Sequence, residues 1–132
     1  MKSALVLIIA APGDLQDGLL ALMTTTPQVK AILIAEGSSA AQRMLEIHTP
    51  ALALLDMNLA QNGAWFILKQ IKSQWPAVRT IAIAGNTEQK HEAETAGADI
   101  VLLYGFQATK LISVTEELLS QGNGDVLSGL KV

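Results

Sequence analysis

Pro50-Ala51-Leu52-Ala53-Leu54-Leu55-Asp56-Met57-Asn58-Leu59 decides the fold. The run from Ala51 to Leu55 is apolar at every position, without the in–out alternation of a half-solvated strand. Unbroken apolar strands of this kind belong to parallel sheets covered on both faces. Thr49-Pro50 marks the start, because the residue before proline disfavours the helical region. Asp56 marks the end. Desolvating a carboxylate is costly, so a buried strand normally ends in something neutral. Asp56 is therefore either a nucleophile or metal ligand, or a strand-end residue accepting backbone N–H groups from Asn58 and beyond.

The same kind of run recurs on both sides, at Ser3–Ala10, Lys30–Ala35, Arg79–Ala84 and Asp99–Leu103. Helical spacing fills the intervals. Leu15, Leu19, Leu22 and Met23 form one stripe; Ala41, Met44, Leu45 and His48 form the next. Ala64, Ile67, Leu68, Ile71 and Trp75 follow, and Ala108, Leu111, Ile112, Thr115, Leu118 and Leu119 close the series. Asp14 is placed to cap the first helix, Ser39-Ala40-Ala41-Gln42 reads as a capping box, and Asn86 with Gln89 has the same spacing. Gly97 stands where a helix would end in a left-handed residue. Five β/α units in this order imply an open three-layer sandwich with right-handed crossovers.

Composition agrees. The chain has 132 residues, enough for one domain; half are hydrophobic and only 4% aromatic, so the core is aliphatic. No cysteine is present, which excludes disulfides, thiolate metal sites and a cysteine nucleophile, and suits the cytoplasm. A net charge of −3 with scattered basic residues argues against direct nucleic-acid binding. The apolar run after Met1-Lys2-Ser3 stops at Pro12-Gly13, too short to span a membrane, so no membrane association is expected. The composition breaks at Gly122-Asn123-Gly124-Asp125. A domain over residues 1–121 is expected, with a tail or linker stub at 122–132.

In an open α/β sheet, ligands collect outside the carboxyl ends of the strands. Here those ends carry Ala10-Ala11-Pro12, Glu36, Asp56-Met57-Asn58, Ala84-Gly85-Asn86 and Tyr104. Asp56 is the carboxylate at the centre of that edge. Taken together, the Pro50–Leu59 stretch, Ala96-Gly97-Ala98-Asp99, Leu102-Leu103 and Gly105-Phe106 resemble a response-regulator receiver domain. Thr25-Thr26-Pro27-Gln28-Val29, leading into a strand that ends Ala35-Glu36-Gly37, is similar to receivers that precede a DNA-binding helix-turn-helix. The resemblance covers residues 3–121. It implies a flavodoxin-like doubly wound α/β sandwich with five parallel strands in the order 2-1-3-4-5.

The resemblance also assigns positions. Asp56 stands in the place of the phosphoacceptor. Ala10 and Ala11 fall where receivers keep the acidic pair that holds Mg²⁺ together with that aspartate. Ala84 replaces the Thr or Ser that hydrogen-bonds the phosphoryl group, and Tyr104 replaces the Lys that pairs with it. Val101 falls at the aromatic switch position. Asp56 and the Asn58 carbonyl are the metal ligands left, a poor set for Mg²⁺, so weak or no Mg²⁺ binding and no other cofactor are expected. Asp14 reads as a helix cap rather than a substitute ligand.

The expected function is that of a degenerate receiver (a pseudo-receiver) in a two-component phosphorelay or related system. It would act through a protein partner or an attached output domain, such as a helix-turn-helix outside this chain, and would not be an enzyme. The alternative is a small-molecule-binding domain using the same cleft, made more apolar by Ala10, Ala11, Ala84 and Tyr104. His48 reads as a partly buried structural residue and His91 as part of a solvated face. Trp65 does not fit the buried stripe of its helix, which leaves it as rim packing or an exposed contact. Thr87–Ala96 has only Ala93 and Ala96 to bury, so a short or mobile helix is expected there. Homodimerisation through that face should be weak or absent.

Overall fold

The computed structural model describes residues 4–131, with side chains to residue 120. Met1, Lys2, Ser3 and the side chains of the expected tail lie outside the described residues. Five parallel strands, β1 (Ala4–Ile9), β2 (Val29–Ala35), β3 (Leu52–Asp56), β4 (Arg79–Ala84) and β5 (Ile100–Leu103), form one sheet in the order β2-β1-β3-β4-β5. Between and after them run α1 (Asp14–Thr24), α2 (Ser38–Ile47), α3 (Gly63–Gln74), α4 (Thr87–Ala96) and α5 (Ala108–Lys131). This is the expected flavodoxin-like sandwich. The helical backbone of α5 continues through Gly122-Asn123-Gly124-Asp125.

The continuous apolar runs have the anticipated cause: each central strand is buried on both sides. Leu7, Ile9, Ala53, Leu55, Ala82 and Ala84 face α2, α3 and α4, where they meet Leu45, Ile67, Leu68, Ile71 and Ala93. Their neighbours Val6, Ile8, Leu52, Leu54, Ile81 and Ile83 face α1 and α5, against Leu19, Met23, Leu111, Val114 and Leu118. The strand period of two sorts the residues into these two cores. Ile9 pairs with Leu55, Asp56 with Ile83 and Ala84 with Leu103. The C-terminal ends of β1, β3, β4 and β5 therefore line up along one edge.

Helix termini differ in part from the sequence reading. Asn86 does cap α4, accepting the Gln89 backbone N–H at 2.8 Å. Gly97 ends α4 at φ +102°, and a Cβ there would lie 2.9 Å from Lys72 Cγ. Asp14 is not a cap: Gly13 holds that position at φ +153°, and Asp14 and Asp17 instead place charge in the first turn of α1. The Ser39 capping box is absent as well. α2 starts two residues earlier than that cap implies, at Ser38, with Gly37 as its cap and no side-chain cap bond. At α1 the positive φ of Gly13 lets the chain turn into the helix one residue sooner, which draws Asp14 into the first turn; Gly37 caps α2 from an extended backbone that any residue adopts.

Candidate functional site at the carboxyl edge of the sheet

Asp56 ends β3 half-buried, above a strand whose preceding four residues are fully buried. Among the described residues, both hydrogen bonds to its carboxylate converge on Oδ1. One comes from the Asn58 backbone N–H at 2.9 Å, the local turn anticipated from sequence. The other comes from the Tyr104 hydroxyl, donated across from the turn after β5. The Tyr104 backbone N–H donates to the Ala84 carbonyl at 2.8 Å, which extends the β4–β5 ladder by one rung and fixes where the phenol starts. Its ring lies over Gly85, where a side chain at that glycine would touch it. The Tyr104 hydroxyl is held well above its ordinary pKa of 10.0, first by burial, then by the hydrogen bond to Asp56, then by that carboxylate's charge.

A second set of bonds joins the neighbouring loops. Gln89, on the first turn of α4, accepts the Gly85 N–H at 2.7 Å through Oε1 and donates from Nε2 to Asn58 Oδ1 at 3.3 Å. Tyr104, Asp56, Asn58, Gln89 and Gly85 thus link the loops after β3, β4 and β5. On the β1 side, Ala10 is fully buried, and its carbonyl accepts Gln16 Nε2 at 2.9 Å. Ala11 is exposed and Ala84 fully buried. Val101 is half-buried and packs into the core beneath α2, α3 and α4.

Asp56, Asn58 and Tyr104 are therefore brought together by hydrogen bonds, whereas Ala10, Ala11 and Ala84 contribute only methyl groups and backbone. Asp14, His48 and His91 are all exposed, so the expectation that His48 is partly buried is not met. His48 is the first residue past α2 and adopts an extended backbone, which turns it away from the stripe that buries Ala41 and Leu45. Gln16 and Gln89 were not singled out as site residues by the sequence. Their amide groups meet partners on other elements, and only the Asn86–Gln89 spacing gave a local sign of either. Among the described residues, no three His, Cys, Asp or Glu side chains gather as a metal cluster, and no helix is long and apolar enough to cross a membrane.

The strand order and the aspartate at the end of the third strand define a receiver-like fold. Solved structures agree. The chain is similar to NtrX from Brucella abortus (TM-score 0.84, 24% identity), which it matches over 97% of its own length and 29% of that chain. It is also similar to the signal receiver domain of an HD domain-containing protein from Pseudomonas fluorescens Pf-5 (TM-score 0.84, 16% identity; 95% and 93% of the two chains). A CheY-like receiver domain from Methanospirillum hungatei JF-1 gives TM-score 0.81 at 18% identity, over 92% and 98% of the two chains. The chain thus spans less than a third of NtrX and nearly all of the isolated receiver domains. At these identities the likeness is one of fold. No protein-family model and no curated protein matches the chain.

Proposed function

We propose that this chain is a receiver-type module of a two-component or related regulatory system, working through protein contacts rather than Mg²⁺-dependent phosphorylation of Asp56. The observation that carries the reading is the Tyr104–Asp56 hydrogen bond. Phosphoryl transfer depends on positioning and on neutralising charge spread over the transferred oxygens. At the receiver lysine position this chain offers a neutral phenol, held protonated and already bonded to the carboxylate. Mg²⁺ wants near-octahedral oxygen ligands, usually one or two carboxylates plus phosphate. The β1 side offers methyl groups instead, and the Ala10 carbonyl is taken by Gln16. These residues are a poor fit for the ion.

The small-molecule alternative is not favoured, because the polar side chains of this edge bond to one another. Nor does the edge pair a base with a nucleophile, so the proposed role is non-enzymatic and, without cysteine, suited to the cytoplasm. Incubation with acetyl phosphate and Mg²⁺, followed by intact mass measurement, tests the reading. The parent chain should stay unmodified. A stoichiometric phosphoryl adduct that disappears in Asp56→Asn would overturn it.

A further inference from the structure

Trp65 and Phe66 lie on α3 outside its buried stripe, and neither belongs to the Asp56 network. Phe66 is 61% exposed, a large apolar surface for a helix of this kind. Its ring meets Trp65 edge to face at 5.2 Å. Lys69, one turn on, places its ammonium 4.7 Å from the centre of the Trp65 ring, so the indole already accepts a cation. Trp65, Asn62 and Glu92 of α4 line one open cleft of about 320 Å³. That size lies near the small end of ligand pockets, which run from about 300 to 1,000 Å³, and suits one long side chain.

The charges of the rim are uneven. On α4, Lys90 pairs with Glu94 at 3.0 Å, whereas Glu92 makes no ion pair among the described residues. Glu92 is exposed, so it needs no partner for folding. Asn62 reaches the cleft from a backbone strained in the same place: Gln61 and Asn62 both have positive φ, 59° and 57°.

We propose that the α3–α4 cleft is a docking site for an arginine side chain of a protein partner. The guanidinium is planar and weakly hydrated, so it stacks on an indole and pairs with a carboxylate at the same time. Trp65 supplies the stacking face, Glu92 the carboxylate and Asn62 an amide carbonyl. The net charge of −3 favours approach of a basic partner. Lys69 is the internal competitor for the indole, and removing it should strengthen the site. The proposal takes the nature of its occupant from the protein-contact reading. The cleft excludes Asp56, so the fate of a phosphoryl donor leaves it untouched.

Titration of the ¹⁵N-labelled chain with N-acetyl-argininamide tests it, with the two indole N–H signals as reporters. Trp65 should shift saturably and Trp75 should not. The uncharged isostere N-acetyl-citrullinamide, which loses both the stacked cation and the ion pair, should bind about fivefold more weakly, and the arginine probe should bind Glu92→Gln about two- to fivefold more weakly. Lys69→Ala should bind the arginine probe at least as tightly as the parent. No saturable Trp65 shift, an equal response to the citrulline probe, or full binding by Glu92→Gln would overturn the proposal. Glu92 is exposed, so that variant keeps the fold, and the unchanged Trp75 signal verifies it.

Discussion

Replacing Tyr104 with Phe removes one hydroxyl and leaves the ring in place over Gly85. Hydrogen bonds to charged groups contribute about 1.5–3 kcal/mol. Tyr104 is 43% exposed and Asp56 half-buried, so water replaces part of the loss. A destabilisation of about 0.5–1.5 kcal/mol is expected, which for a domain of this size lowers Tm by roughly 2–6 °C at neutral pH. The bond also has a pH signature. Folding raises the pKa of Tyr104 above its ordinary 10.0, so the folded chain favours the protonated phenol. That contribution is complete below the unfolded pKa and is lost as pH rises above it, so the Tm gap between parent and variant should narrow above about pH 10. Tyr104 is the only tyrosine in the chain, so phenolate absorbance reports it alone. The folded chain should titrate well above the unfolded chain. Asp56→Asn should move the transition part of the way back, because burial, the largest cause, remains. A Tyr104→Phe variant that melts with the parent at every pH, or a folded-state phenolate transition at the unfolded position, would refute the reasoning.

Gly97→Ala forces a Cβ into a left-handed backbone and against Lys72, loosening the Lys72–Asp99 pair. It should cost about 1–3 kcal/mol in urea denaturation, with the backbone part persisting in a Lys72→Ala background. Ala11→Asp, at an exposed position, should fold nearly as well as the parent, whereas Ala10→Asp places a carboxylate at a fully buried site and should be strongly destabilised. The pKa of the new acid at residue 10 should be raised by burial and by Asp56, so stability should fall as pH rises through the acid range; melting curves from pH 4 to 8 read this directly, and Mg²⁺ should restore part of the loss. α4 buries only Ala93 and Ala96, so its amides should exchange faster than those of α3; uniformly slow exchange over residues 87–96 would contradict this.

Much of this protein is set by local pattern. Five apolar runs separated by helical stripes dictate parallel strands under two helical layers, because only that arrangement buries both faces of the central runs, while the edge strands β2 and β5 stay partly exposed. Asp56 at the end of its run, the left-handed Gly97 and the Asn86 cap are likewise local features, and each was legible in the chain. Both α1 and α2 start earlier than the cap preferences of Asp14 and Ser39 indicated, at α1 because Gly13 can take a positive φ, a choice that a cap preference alone does not determine. The partners of Asp56 belong to the tertiary structure. Tyr104 lies 48 residues from Asp56, and Gln89 lies 31 from Asn58. No local periodicity carries information about a side chain arriving from another strand. The sheet register brings β3, β4 and β5 to one edge, and only there does a tyrosine become the hydrogen-bond donor to an aspartate.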